Sequence, residues 1–147
     1  MRIINISKKA FLITSMAAFL SSCEKEEMIP TSELPTEIAS YVSTHFPDNR
    51  ILQVVKDKDG LTKTYDLILE GSISLEFNRD KEIIDIDANS KLPDSVIPEK
   101  LRLYVIANYP SNVITDWEIE EKKQQIELEN GIGLEFNMNG DFLRIDN

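Results

Sequence analysis

Ile73-Ser-Leu-Glu-Phe-Asn78 and Ile132-Gly-Leu-Glu-Phe-Asn137 are nearly the same six residues, 59 positions apart. The match spreads outward. Leu69-Glu70 meets Leu128-Glu129, and Ile86-Asp87 meets Ile145-Asp146 at the same shift. Toward the N-terminus the shift becomes 63, where Pro35 falls on Pro98, Ile38 on Leu101, Tyr41-Val42 on Tyr104-Val105, and Phe46-Pro47 on Tyr109-Pro110. The change of shift falls at Asp57-Lys-Asp-Gly60, a turn sequence, where a duplicated unit tolerates insertion. The chain therefore reads as two copies of one unit.

Each unit opens with a helix. Pro35 and Pro98 suit a first turn, where the missing N–H costs nothing. Apolar residues recur at helical spacing over Ile38–Phe46 and Leu101–Tyr109, and Pro47 and Pro110 stop the helices. Strands follow. Thr115, Trp117 and Ile119 alternate with Asp116, Glu118 and Glu120; Ile126 and Leu128 follow, then Ile132, Leu134 and Phe136, then Leu143 and Ile145. In the first unit the apolar positions are Leu52 and Val54; Tyr65, Leu67 and Leu69; Ile73, Leu75 and Phe77; Ile84 and Ile86. Alternation predicts a sheet with one buried face. The expected fold is α+β, with two tandem helix-plus-four-strand repeats. They form one antiparallel sheet of about eight strands with two helices packed on one face. The divisions are a leader over 1–22, an acidic tether over 23–31, a first repeat over 32–87, a linker over 88–94 and a second repeat over 95–147.

The leader has a basic start (Arg2, Lys8, Lys9) and an apolar run from Ala10 to Leu20, too short to span a bilayer permanently. Leu20-Ser-Ser-Cys23 resembles a bacterial lipobox, and Cys23 is the only cysteine, so we expect Cys23 to be lipidated. That would anchor the chain on the outer membrane without crossing it. The acidic Glu24-Lys-Glu-Glu27 resembles the tract that directs some Bacteroidota lipoproteins to the cell surface, and both the surface and the periplasmic side stay open. Losing the leader leaves 13 basic against 26 acidic residues, a net charge of −13 rather than −10. Such a surface repels phosphate backbones, so no nucleic-acid partner is expected.

The two-copy pattern resembles the PepSY-like, beta-lactamase-inhibitor-like family of secreted bacterial proteins. The residues that carry it are Phe46-Pro47, Tyr109-Pro110, Trp117, Leu75-Glu-Phe-Asn78 and Leu134-Glu-Phe-Asn137, and it covers almost all of residues 32–147. It implies the helix-then-strands repeat, export, and binding of protein through the open sheet face. Val54 stands where the first copy should have a tryptophan.

Catalytic patterns are missing. His45 is the one histidine and has no Cys or Ser partner at a recognisable spacing, so no enzyme activity is expected. No His–Cys cluster or glycine-rich phosphate loop is present, so neither a metal centre nor a cofactor is predicted. Asp57-Lys-Asp-Gly60 begins like a calcium loop but lacks the distal glutamate. The acids carry more information. Alternation directs Glu70, Glu76, Glu129 and Glu135, with Asp85, Asp116 and Glu118, to the face away from the helices. A solvated face, a docking surface for a basic partner and a weak calcium site all fit that pattern. Val55, Ile68, Ile83 and Phe142 are assigned to the same face and favour docking. The sequence thus predicts a lipid-anchored, non-catalytic module that binds an unidentified protein or peptide, in a narrower form an enzyme inhibitor. The alternative is a calcium-dependent structural or carbohydrate-associated surface lipoprotein.

Overall fold

A computed structural model describes residues 26–57 and 64–146. Cys23, the leader and most of the Asp57–Gly60 turn lie outside the described residues. Thr36–His45 forms α1 and Glu99–Asn108 forms α2, each entered from a proline. Each ends on an aromatic residue whose N–H still donates to the fourth carbonyl back, Phe46 to Val42 at 2.8 Å and Tyr109 to Val105 at 2.7 Å. Pro47 and Pro110 come next and stop the helices there.

The strands are β1 (Glu27–Met28), β2 (Ile51–Lys56), β3 (Tyr65–Leu69), β4 (Ile73–Phe77), β5 (Ile83–Ala88), β6 (Ile114–Glu120), β7 (Lys123–Leu128), β8 (Gly133–Asn137) and β9 (Phe142–Asp146). They form one sheet in chain order. Every neighbouring pair is antiparallel. Eight strands are those of the two repeats. The ninth, β1, comes from the segment read as tether. It pairs with the edge of β2, and the Ile29 N–H donates to the Val54 carbonyl at 3.1 Å. An open edge invites pairing, and Ile29 also packs on the core, so residues 27–29 belong to the sheet.

The core lies between the helices and one face of the sheet. Ile38 and Val42 from α1 and Leu101 and Val105 from α2 pack over Leu67, Leu75, Ile86, Trp117, Ile126 and Leu134. The two copies repeat their helix-to-sheet contact closely. Tyr41 meets the edge of Phe77 with ring centres 5.4 Å apart, and Tyr104 meets Phe136 at 5.3 Å, both at 85°.

The repeated hexapeptide has a separate role for its asparagine. In the second copy, Asn137 Oδ1 accepts from the N–H groups of Asn139 and Asp141, both at 2.9 Å. In the first, Asn78 Oδ1 accepts from Asp80 and Glu82 at 2.9 and 3.0 Å. Each asparagine thus fixes the hairpin that returns the chain from its Phe strand.

Strict alternation fails at four places. Between Ile51 and Gln53, and between Ile114 and Asp116, one residue is inserted opposite β3 and β7. The same happens in β5 opposite Glu76/Phe77 and in β9 opposite Glu135/Phe136. These are β-bulges at equivalent positions in the two copies. Each shifts the side-chain pattern by one. Leu52, expected in the core, is 57% exposed, and Ile51 packs on the core instead. Ile114 rather than Thr115 is buried, together with Trp117. Trp117 donates its indole N–H to Gln124 Oε1 at 3.2 Å, a partner that a buried indole requires.

Candidate functional site

The face away from the helices is built from two rows of cross-strand neighbours. One runs Val55, Asp66, Glu76, Asp85, Glu118, Gln125, Glu135, Arg144 from β2 to β9. The other runs Gln53, Ile68, Ser74, Asp87, Asp116, Glu127, Gly133, Asp146. Four successive strands, β3 to β6, therefore place a carboxylate in the first row. Four more, on β5, β6, β7 and β9, stand in the second. At the seam between the copies, Asp85 faces Glu118 and Asp87 faces Asp116. Like charges set directly opposite repel.

The electrostatics follow from that crowding. Partial burial, then the charges of Asp85, Glu118, Asp87 and Glu127, push the Asp116 carboxyl up to about 8. Burial, then Glu76, Asp57 and Glu26, pushes Asp66 up to about 6. Beside the seam lies an open groove of about 390 Å³, lined by Asp87, Ala88, Asn89, Thr115, Asp116, Glu127, Leu128 and Glu129.

Several residues assigned to this face from sequence sit differently. Ile83 and Phe142 are on the helix side. The bulges in β5 and β9 set Ile83 opposite Phe77 and Phe142 opposite Phe136, so both join the core face. Phe142 stacks on Tyr104, ring centres 4.6 Å apart and planes 13° apart. Neither is an apolar anchor on the open face. Glu135 is in the row as expected but only 2% exposed, and it is already occupied. Lys123 Nζ lies 2.7 Å from Oε1, and Arg144 donates through Nη2 and Nε to Oε2 at 2.7 and 3.0 Å. The hydrogen bonds from Lys123 and then Arg144 hold its carboxyl below the ordinary range. Glu70 sits at the β3–β4 turn, where Arg50 Nη2 donates to it at 2.7 Å. Glu129 is exposed and lines the groove. Val55, Ile68 and Glu76 hold their predicted places in the rows, and Ile68 is exposed.

Sequence reading missed Asp66, Asp87 and Glu127. The signal was present, because all three alternate with core residues of their strands. His45 is half-buried, tilted over Tyr41, and its Nδ1 lies 2.9 Å from Ser95 Oγ. Ser95 lies 50 positions from His45, so this serine neighbour was not legible as a spacing. Among the described residues no group of three or more His, Cys, Asp or Glu side chains is placed to hold a metal ion. Also among them, no helix is long and apolar enough to cross a membrane.

A helix over a four-stranded antiparallel meander, present twice with a shared sheet, defines the class. The family described as "Putative beta-lactamase-inhibitor-like, PepSY-like" matches residues 20–85 and 63–144, and the chain belongs to it. Three solved structures share the fold. One, described as a putative periplasmic protein from Bacteroides vulgatus, has a TM-score of 0.79 and 28% identity over 85% of this chain and 99% of its own. A second from the same organism, described as of unknown function, has a TM-score of 0.78 and 28% identity over 84% and 100%. A third, described as a putative calcium-regulated periplasmic protein from Bacteroides thetaiotaomicron, has a TM-score of 0.78 and 24% identity over 83% and 97%. No curated protein matches the chain.

Proposed function

We propose that this chain is a non-catalytic binding module of the cell envelope that takes a basic segment of another protein on the open face of its sheet. One observation carries the reading: the carboxylate row Asp66, Glu76, Asp85, Glu118 crosses the seam, so both copies contribute to one surface. A lysine or arginine laid along β5 and β6 would offset the like charges of Asp85 and Glu118 and favour ionisation of Asp116 beside Asp87, and Ile68 offers apolar contact beside them. The inhibitor-like family supports a narrower form, in which the basic segment belongs to a secreted enzyme. The periplasmic descriptions of the solved relatives and the lipobox-like Leu20–Cys23 support an envelope location, with Cys23 as anchor. The test is photo-crosslinking in intact cells. A reactive side chain at Ile68 or Ser74 should capture a discrete protein, and one at Ser40 or Thr44 on α1 should not. Asp116→Lys should abolish the adduct. Capture that is equal from both surfaces, or indifferent to Asp116→Lys, removes the proposal.

A second reading is calcium binding in the groove at Asp87, Asp116, Glu127 and Glu129, favoured by the crowding there and by the calcium-regulated description of one relative. It requires side-chain rearrangement, since no three of these groups now converge. A melting temperature unmoved by millimolar calcium would remove it, because a ligand of the native state must raise that temperature.

A further inference from the structure

Away from the acidic face, the outward sides of the two helices differ. Under the 63-residue shift, Ser40 and Ser43 of α1 correspond to Leu103 and Ile106 of α2. Both serines are exposed, as expected of a helix packed on one side. Leu103 and Ile106 are 51% and 56% exposed. Packing does not demand them, because each helix buries the same two positions, Ile38 and Val42 or Leu101 and Val105.

Beside Ile106 lies a mainly apolar recess of about 190 Å³ between α2, Leu92 and Val113. Small-molecule pockets usually run to about 300–1,000 Å³, so this recess suits one side chain rather than a metabolite. Lys91 and Arg102 line it. The first copy has Met28 and Ala39 at the corresponding positions. Lys91 is engaged by Asp94, which also lines the recess, at 2.8 Å. In a chain with 26 acidic and 16 basic residues, the Arg102 guanidinium makes no ion pair or hydrogen bond among the described residues, and its charge reaches Asp94 across the recess only through space. A guanidinium forks onto a carboxylate with two parallel hydrogen bonds.

We infer that α2 carries a second docking surface, for a segment of another protein that presents one large apolar side chain close to an Asp or Glu. The apolar side chain fills the recess against Ile106, the carboxylate takes Arg102, and Leu103 covers the neighbouring residue. The charge preference is opposite to that of the open face, so the two surfaces select different segments.

The experiment is selection from a displayed library of random peptides of about 12 residues on the full chain. The wild type should enrich peptides with Leu, Ile, Phe or Trp within about four residues of Asp or Glu. Arg102→Glu should replace the acid by Lys or Arg beside the same apolar residue. Ile106→Ser, which installs the first copy's residue, should weaken a synthesised enriched peptide by about tenfold or more in fluorescence anisotropy, about 1.4 kcal/mol. Asp116→Lys should leave that peptide's binding unchanged. Arg102→Glu and Ile106→Ser should both keep the wild-type circular dichroism and melting temperature. Failure to enrich any apolar–acidic motif overturns the inference, as does a motif unchanged by Arg102→Glu. Self-association of the full chain that Ile106→Ser abolishes also overturns it, since the occupant would then be a second copy.

Discussion

Asp66, Glu76 and Asp85 in the first repeat occupy the positions of Gln125, Glu135 and Arg144 in the second. The backbone is the same, and so is the central glutamate. In the second repeat that glutamate is buried between Lys123 and Arg144, and its row closes on itself. In the first, its neighbours on both sides are acids, and the row continues into Glu118 across the seam. One copy holds the position between two cations, and the other sets it between two acids. Duplication supplied two equivalent sites, and side-chain substitution made them different.

The comparison can be broken most forcefully in the core, where the repeats should behave alike. Phe77→Ala and Phe136→Ala each remove a fully buried ring. Each should cost about 3–5 kcal/mol in chemical denaturation. A large inequality would mean that one repeat carries the folding energy. Tyr41 and Tyr104 rest on these rings alike, so similar losses are expected.

On the open face the repeats and the seam should respond to pH in opposite directions. Glu135 has its carboxyl held below 4.5, so its stabilisation is complete above that pH and is lost as pH falls through the lower folded value. Glu135→Gln should lower the melting temperature by several degrees between about pH 5 and pH 9. It should also reduce the loss in acid. Asp116 has the reverse sign. Its carboxyl stays protonated up to about 8 in the fold and ionises near 3.8 when unfolded, so stability falls as pH rises between those values. The wild type should therefore melt at a lower temperature at about pH 9 than at about pH 6. Asp116→Asn should flatten that slope and raise the melting temperature at the higher pH. Thermal melts across pH for the two variants check both signs, and a slope unchanged by Asp116→Asn would show that the seam acids do not repel as placed.

The smallest effects lie in the hairpins held by Asn78 and Asn137. Gly140 has φ +80°, and a Cβ there would stand 2.9 Å from the Lys100 Cβ. Gly140→Ala should cost about 1–2 kcal/mol. The corresponding residue in the first copy is Lys81, which has φ +64° with a side chain. Lys81→Gly should gain at most about 1 kcal/mol, because relief of the left-handed conformation is offset by glycine's greater freedom when unfolded. Equilibrium denaturation of the two variants measures the asymmetry directly.

Much of the architecture was legible because duplication writes the pattern twice. The helix bounds came from prolines at both ends, and the strand count from alternation separated by turn residues. The face assignment was legible only in part. Glu76, Val55 and Ile68 stand in the predicted rows because no bulge intervenes on their side of the strand. Ile83 and Phe142 were misplaced because one inserted residue, Ile84 or Leu143, reverses the side-chain parity and leaves the run apolar. An Ile-Ile or Phe-Leu pair shows no break in hydropathy, so period-two reading cannot locate the bulge.

The sequence by itself determined the duplication, the order of helix and strands and the strongly acidic balance, since these are local or compositional properties. Tertiary structure alone decided which carboxylates meet. Asp116 and Asp87 are 29 positions apart in sequence, and Glu135 lies 12 and 9 positions from its two cations. Cross-strand register brought the first pair into repulsion and set the second group into a buried cluster. Register depends on hairpin length and bulge position together, and the ionisation of each acid depends on the neighbours that register supplies.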